Sequence, residues 1–139
     1  MFRIAHSVGA AVVAISCLLA LPGNAHDVEK GDLHIENAYV RASIGRAPNS
    51  AAFMIIHNLG VADDRLTGAR SNVSERVEIH TTKMSDGIMR MRQLKDGIAL
   101  PGAETVTLKP GGMHVMFLGL KQKLLAGEKL KLTLIFEQA

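Results

Sequence analysis

Two histidines and two methionines stand at a spacing that suits a soft metal ion: His80, Met91, His114 and Met116, in the order H-x10-M-x22-H-x-M. Neutral imidazole nitrogen and thioether sulfur together favour monovalent copper. Zinc prefers thiolate, imidazole and carboxylate, and calcium and magnesium want oxygen. The single cysteine, Cys17, lies far from these four in the sequence. A copper site built here would have no thiolate, and would not be lost to disulfide formation in an oxidising compartment. Acid would weaken it, because a protonated imidazole has no lone pair to give. The spacing by itself leaves a second reading open, of two core methionines and two surface histidines. Met89, two residues from Met91, is a further candidate ligand or a packing neighbour. Met84 sits nearby as a candidate for loading, and Met54 reads as core.

The elements that would position these residues are strands. Residues 34–40, 51–57, 65–69, 76–80, 88–94, 105–108, 113–118 and 129–137 alternate or run apolar, and Gly, Pro, Asn and Asp separate them. Asp86-Gly87 reads as a hairpin turn. A strand places residues i and i+2 on one face about 7 Å apart, so His114 and Met116 share a face. His80 ends one strand on its polar, outward face, and Met91 follows across the hairpin. Gly/Pro turns between short strands, with no long amphipathic helix, predict an all-β sandwich or barrel.

Residues 1–25 differ from the rest. Arg3 precedes roughly 14 mostly apolar residues from Val8 to Leu21, followed by Pro22-Gly23-Asn24-Ala25. That layout predicts a secretory signal peptide cleaved after Ala25, since the run is shorter than the ~20 residues a membrane span needs. On this reading no stable membrane insertion follows cleavage, and Cys17 is an ordinary apolar residue of the signal. Residues 26–139 are then one copper-binding β domain of 114 residues with a formal charge of +2 and no cysteine. Its basic residues are scattered, so nucleic acid is not an expected partner. His26 would become the amino terminus, where amine and imidazole can chelate copper(II); a frayed end with a chance histidine is the simpler reading. Residues 26–33 read as a loose lead-in.

Beyond the four residues, Asn49-Ser50-Ala51-Ala52-Phe53-Met54, Asp64-Arg65-Leu66, Glu75 to His80, Asp86 to Arg92 and Leu108 to Met116 resemble the PCu(A)C-type periplasmic copper chaperones. The middle spacing in that family is commonly 21 residues rather than 22. The resemblance implies a cupredoxin-like Greek-key β-sandwich or barrel. It also implies one Cu(I) per chain on His80, Met91, His114 and Met116. It further implies a periplasmic carrier, not an enzyme, that delivers copper to the copper-accepting domain of cytochrome c oxidase or its assembly factors. Some relatives bind copper(II) on a His/Met-rich tail; residues 135–139, Ile-Phe-Glu-Gln-Ala, have no such composition, and a second site of that kind is not expected.

The alternative is a periplasmic copper buffer serving resistance, with the same ligands and no dedicated oxidase acceptor. A blue-copper electron carrier would need a cysteine ligand. A copper oxidase would have to use His26, and a metal-free interaction domain would bind no copper at all.

Overall fold

A computed structural model describes residues 12–19 and 26–139 of the chain. They form eleven strands, with no helix among the described residues. The strands are β1 (Val12–Leu19), β2 (His26–Lys30), β3 (Leu33–Val40), β4 (Asn49–Asn58), β5 (Asp64–Arg70) and β6 (Ser74–Ser85). They continue as β7 (Ile88–Gln93), β8 (Ile98–Leu100), β9 (Thr105–Leu108), β10 (Met113–Leu120) and β11 (Lys129–Phe136).

Hydrogen-bonded neighbours run β7-β6-β10-β4-β3-β1-β11-β5-β8, with β2 added to β3 and β9 to β4. All pairs are antiparallel except β1 with β3. β5 also lies against β6, and β8 against β4, so the sheet folds over on itself. The result is the all-β sandwich that the strand pattern predicts, with the cupredoxin-like architecture that the resemblance implies.

The core follows from alternation. In β11, Leu130, Leu132, Leu134 and Phe136 are buried while Lys129 and Lys131 are exposed. Ile35 of β3 and Met54 and Ile56 of β4 meet them in one apolar cluster. In β10, Val115 and Phe117 are fully buried and pair with Ile79 and Val77 of β6. The β6–β7 hairpin closes through Asp86 (φ 51°) and Gly87 (φ 76°). Two consecutive positive φ values are what a two-residue type I′ turn requires, and they fix Ser85 opposite Ile88.

Three segments differ from the expectation. Residues 26–30 are not a loose lead-in but strand β2, hairpinned onto β3 through Gly31 at φ 57°. β6 runs on to Ser85, so His80 lies within a strand rather than at its end. The three-residue β8 was hidden between two turns, too short to show a period.

Val12–Leu19, read as the apolar heart of an export signal, here forms β1 between β3 and β11. Val13, Ile15 and Cys17 enter the core, and burial pushes the Cys17 thiol up to about 12. Such a thiol stays protonated at neutral pH and is a poor nucleophile and ligand. An apolar stretch of small and β-branched residues suits a buried strand as well as a signal, so composition does not separate the two. The cut expected after Ala25 lies outside the described residues, as does the side chain of His26.

Phe117 anchors the strand that holds two of the candidate ligands. Phe117→Ala should destabilise the protein by about 3–5 kcal/mol, read as a lower urea midpoint with unchanged strand content at zero denaturant.

Candidate metal centre

The centre is built on the three neighbouring strands β7, β6 and β10. His80 of β6 stands directly opposite His114 of β10. Residues opposite one another in an antiparallel pair share a face, and the two rings lie 5.9 Å apart, centroid to centroid. Met116, two residues along β10, keeps the same face and lies opposite Glu78. Met91 of β7 pairs with Thr82, two residues beyond His80 on the same face of β6. A hollow of about 170 Å³ gathers Met91, His114 and Met116 beneath the loop that follows β3, with Arg41 and Ile44 on its wall. His80 stands beside His114 rather than in the hollow wall.

His80 keeps the outward face, opposite the buried Ile79, but is more covered than a surface histidine. Its side chain is 14% exposed, and the residue His114 only 2%. Alternation correctly put His80 on the face opposite Ile79. Over β10 that face is covered by the loop from Arg41, which shares the hollow with His114 and Met116, and His80 is flanked by β7 and β10. Phe53, on the neighbouring β4, adds a ring 6.3 Å from that of His114, with the Arg41 guanidinium 5.3 Å above it.

Each imidazole uses one nitrogen and leaves the other bare. His114 Nδ1 lies 3.0 Å from the Gly112 carbonyl, which can only accept, so Nδ1 holds the proton and Nε2 the lone pair. His80 Nε2 lies 2.8 Å from a Glu78 carboxylate oxygen, so Nε2 donates and Nδ1 is left with the lone pair. Glu78 is itself steadied by Arg76 at 3.5 Å. His80 Nδ1 and His114 Nε2 are the two buried side-chain polar atoms without a hydrogen-bond partner among the described residues. An unsatisfied buried polar atom costs about 1–3 kcal/mol, and native interiors contain few of them. Two on adjacent, co-facing rings mark a place prepared for an electrophile. Anchoring one imidazole nitrogen so that the other faces a metal is the usual arrangement around a histidine ligand.

Among the described residues no group of three or more His, Cys, Asp or Glu side chains is arranged to hold a metal. The donors that can complete the pair are the thioethers of Met91 and Met116. That set fits copper(I) and suits neither zinc nor a hard cation. Met89 pairs with Met84 farther out along the hairpin and does not line the hollow, which favours Met91 as the ligand.

Glu78, Gly112, Phe53 and Arg41 were not singled out from the sequence. Glu78 had a legible signal, two residues before His80 on the same face. The Gly112 carbonyl had none, since a backbone acceptor is invisible until the loop is folded.

Burial pushes His114 below the ordinary imidazole value of 6.5, aided by repulsion from His80 and Arg41; its bond to Gly112 opposes this. In the metal-free protein its ring should therefore titrate below 6.5, as followed by NMR of the imidazole protons. The unfolded chain takes up this proton first as pH falls. The stability linked to His114 is thus fully present above 6.5 and lost as pH drops through the lowered value. Urea midpoints measured across that range should fall more steeply for the native chain than for His114→Leu.

Residues 33–139 match the family model described as "Putative lipoprotein LpqE-like". The chain is 33% identical over 122 residues to "Putative lipoprotein Lxx21020" of Leifsonia xyli subsp. xyli, covering 86% of this chain and 72% of that one. Its fold is similar to that of the copper-bound PCuAC domain from PmoF2. There the TM-score is 0.68 at 28% identity, over 82% of this chain and 89% of the other. The apo PCuAC domain from PmoF1 is similar at TM-score 0.69 and 29% identity, over 82% and 90%. β1 precedes the residues that the family model matches.

Proposed function

Because this chain belongs to the LpqE-like, PCuAC-type family, we propose that it is an exported carrier of copper(I), not an enzyme. It holds one ion through His80 Nδ1, His114 Nε2 and the sulfurs of Met91 and Met116. It works in the periplasm and hands the ion to the copper-accepting domain of cytochrome c oxidase or to an assembly factor. The single observation that supports this most is the pair of bare, buried imidazole nitrogens on facing strands.

The division of the ligands suits a carrier. The imidazoles are buried and anchored, so they need little reorganisation to bind. Met91 is 59% exposed on an edge strand. An incoming ligand from an acceptor can replace its thioether first, and the remaining bonds then exchange one at a time. No electron moves, since copper remains monovalent. No proton need leave, since both imidazoles bind through a nitrogen that is already free of one. A copper buffer would use the same ligands. The deep burial of His114 favours that reading, because it slows release. Transfer to an oxidase copper domain in solution separates the two: a buffer gives up its copper only to a stronger chelator.

X-ray absorption of the copper(I)-loaded protein should count two nitrogens and two sulfurs. His114→Ala with Met116→Ala should abolish binding of the single ion in a chelator competition. Unchanged affinity and stoichiometry in that double variant would falsify the assignment. Glu78→Gln keeps the shape but weakens the anchor on His80, and should lower copper(I) affinity by about 10–100-fold with the same four neighbours.

A further inference from the structure

The geometry points to a second copper(I) position on the β6–β7 hairpin, formed by Met84, Met89 and Met91, through which the ion reaches the histidine pair. This rests on the copper(I) reading of the inner centre and adds a route into it.

The register carries the inference. Met84 lies directly opposite Met89, and Met91 lies opposite Thr82. Residues opposite one another share a face, and so do residues two apart. Met84, Met89 and Met91 therefore form one patch, on the face that also bears His80. Directly paired side chains have Cβ atoms about 4.5–5.5 Å apart. The next position along a strand is about 7 Å away. Three unbranched side chains at those separations can bring their sulfurs to one ion. The type I′ turn at Asp86-Gly87 fixes the pairing on which this depends.

These methionines take no part in the apolar core. Met84, Met89 and Met91 are 65%, 58% and 59% exposed, and none belongs to the apolar core or to the side chains packed against it. Isolated exposed apolar residues are ordinary. Three thioethers grouped on the free edge of a sheet, next to a hollow lined by two further soft or imidazole donors, are a different matter. Lys83, Arg90 and Arg92 occupy the opposite face of the hairpin, so the hairpin itself sets no cation among its sulfurs; Arg41 lines the hollow beside Met91.

The transfer is a ligand exchange. The bonds from copper to the sulfurs of Met84 and Met89 break as bonds to His80 Nδ1 and His114 Nε2 form, and Met116 then completes the inner set. Met91 belongs to both positions and stays bound throughout. The ion keeps its single positive charge, and no proton or electron is exchanged.

Two experiments test the route. H80A/H114A removes the inner nitrogens. Loaded with copper(I), it should show a sulfur-only shell by X-ray absorption, and adding M84L/M89L should abolish that binding. In the otherwise native chain, M84L/M89L should slow copper(I) uptake from a chelated donor by about tenfold. The loaded product should still show two nitrogens and two sulfurs, which separates slow loading from a lost centre. The surface positions of Met84 and Met89 make the second experiment independent of whether H80A/H114A folds. Uptake at the native rate in M84L/M89L would overturn the route. So would a folded H80A/H114A that binds no copper(I), or binds it without sulfur. Both results leave the inner centre standing. A native protein that holds copper(I) without nitrogen ligands would instead remove the proposed function.

Discussion

Two imidazoles, His114 buried and His80 mostly covered, stand opposite each other across β6 and β10, each tied down by one nitrogen and bare at the other. The rest of the molecule can be understood from what this arrangement needs. It needs interior strands, because an edge strand would leave the rings to water. It needs a strong acceptor beside each ring, which Glu78 and the Gly112 carbonyl supply. It also needs a rigid back wall, which Ile79, Val115 and Phe117 provide from the core side of the same two strands. Leaving two lone pairs unsatisfied is unfavourable for the metal-free fold. On the proposed reading, a copper(I) ion bound by the two nitrogens would recover that energy.

The sulfur donors are held differently. Met116 is partly covered, while Met91 stands on the outermost strand and mostly in solvent. In the proposed carrier, the covered nitrogens would give position and selectivity for a soft monovalent ion, and the exposed sulfur would give exchange. Cys17, the chain's only thiol, belongs to a different part of the sheet, and burial keeps it protonated. The proposed copper(I) centre, having no thiolate, would depend on neutral ligands, which bind weakly enough to leave and do not form disulfides.

Strand positions were legible wherever alternation ran for five or more residues. β11 shows it plainly, with leucine and phenylalanine alternating against lysine and threonine. The Asp86-Gly87 turn was legible because few residue pairs tolerate two positive φ values in succession. β8 was not, because three residues between turns carry no period. β2 was not, because its polar composition resembles a loop and its stability comes from hydrogen bonding to β3. The segment 12–19 shows a different limit. An apolar run is compatible with an export signal and with a buried strand, and only its pairing with β11 brings out the second possibility.

What the sequence determined by itself was chemical: two imidazoles and two thioethers at strand spacing, a co-facing His114 and Met116, and no cysteine near them. These follow from residue type and the two-residue period, which are local. Tertiary structure decided which faces are covered and what each ring touches. Alternation distinguishes one face of a strand from the other, but it says nothing about what lies over either. His80 was therefore expected to point outward; it does lie on the outward face, but folding covers most of it. The same holds for the choice between Met89 and Met91, which share a face two residues apart. The structure favours Met91 because the hollow beneath the Arg41 loop includes that residue and excludes its neighbour. Its shape depends on strands and a loop far apart in the chain, and local sequence has no access to it.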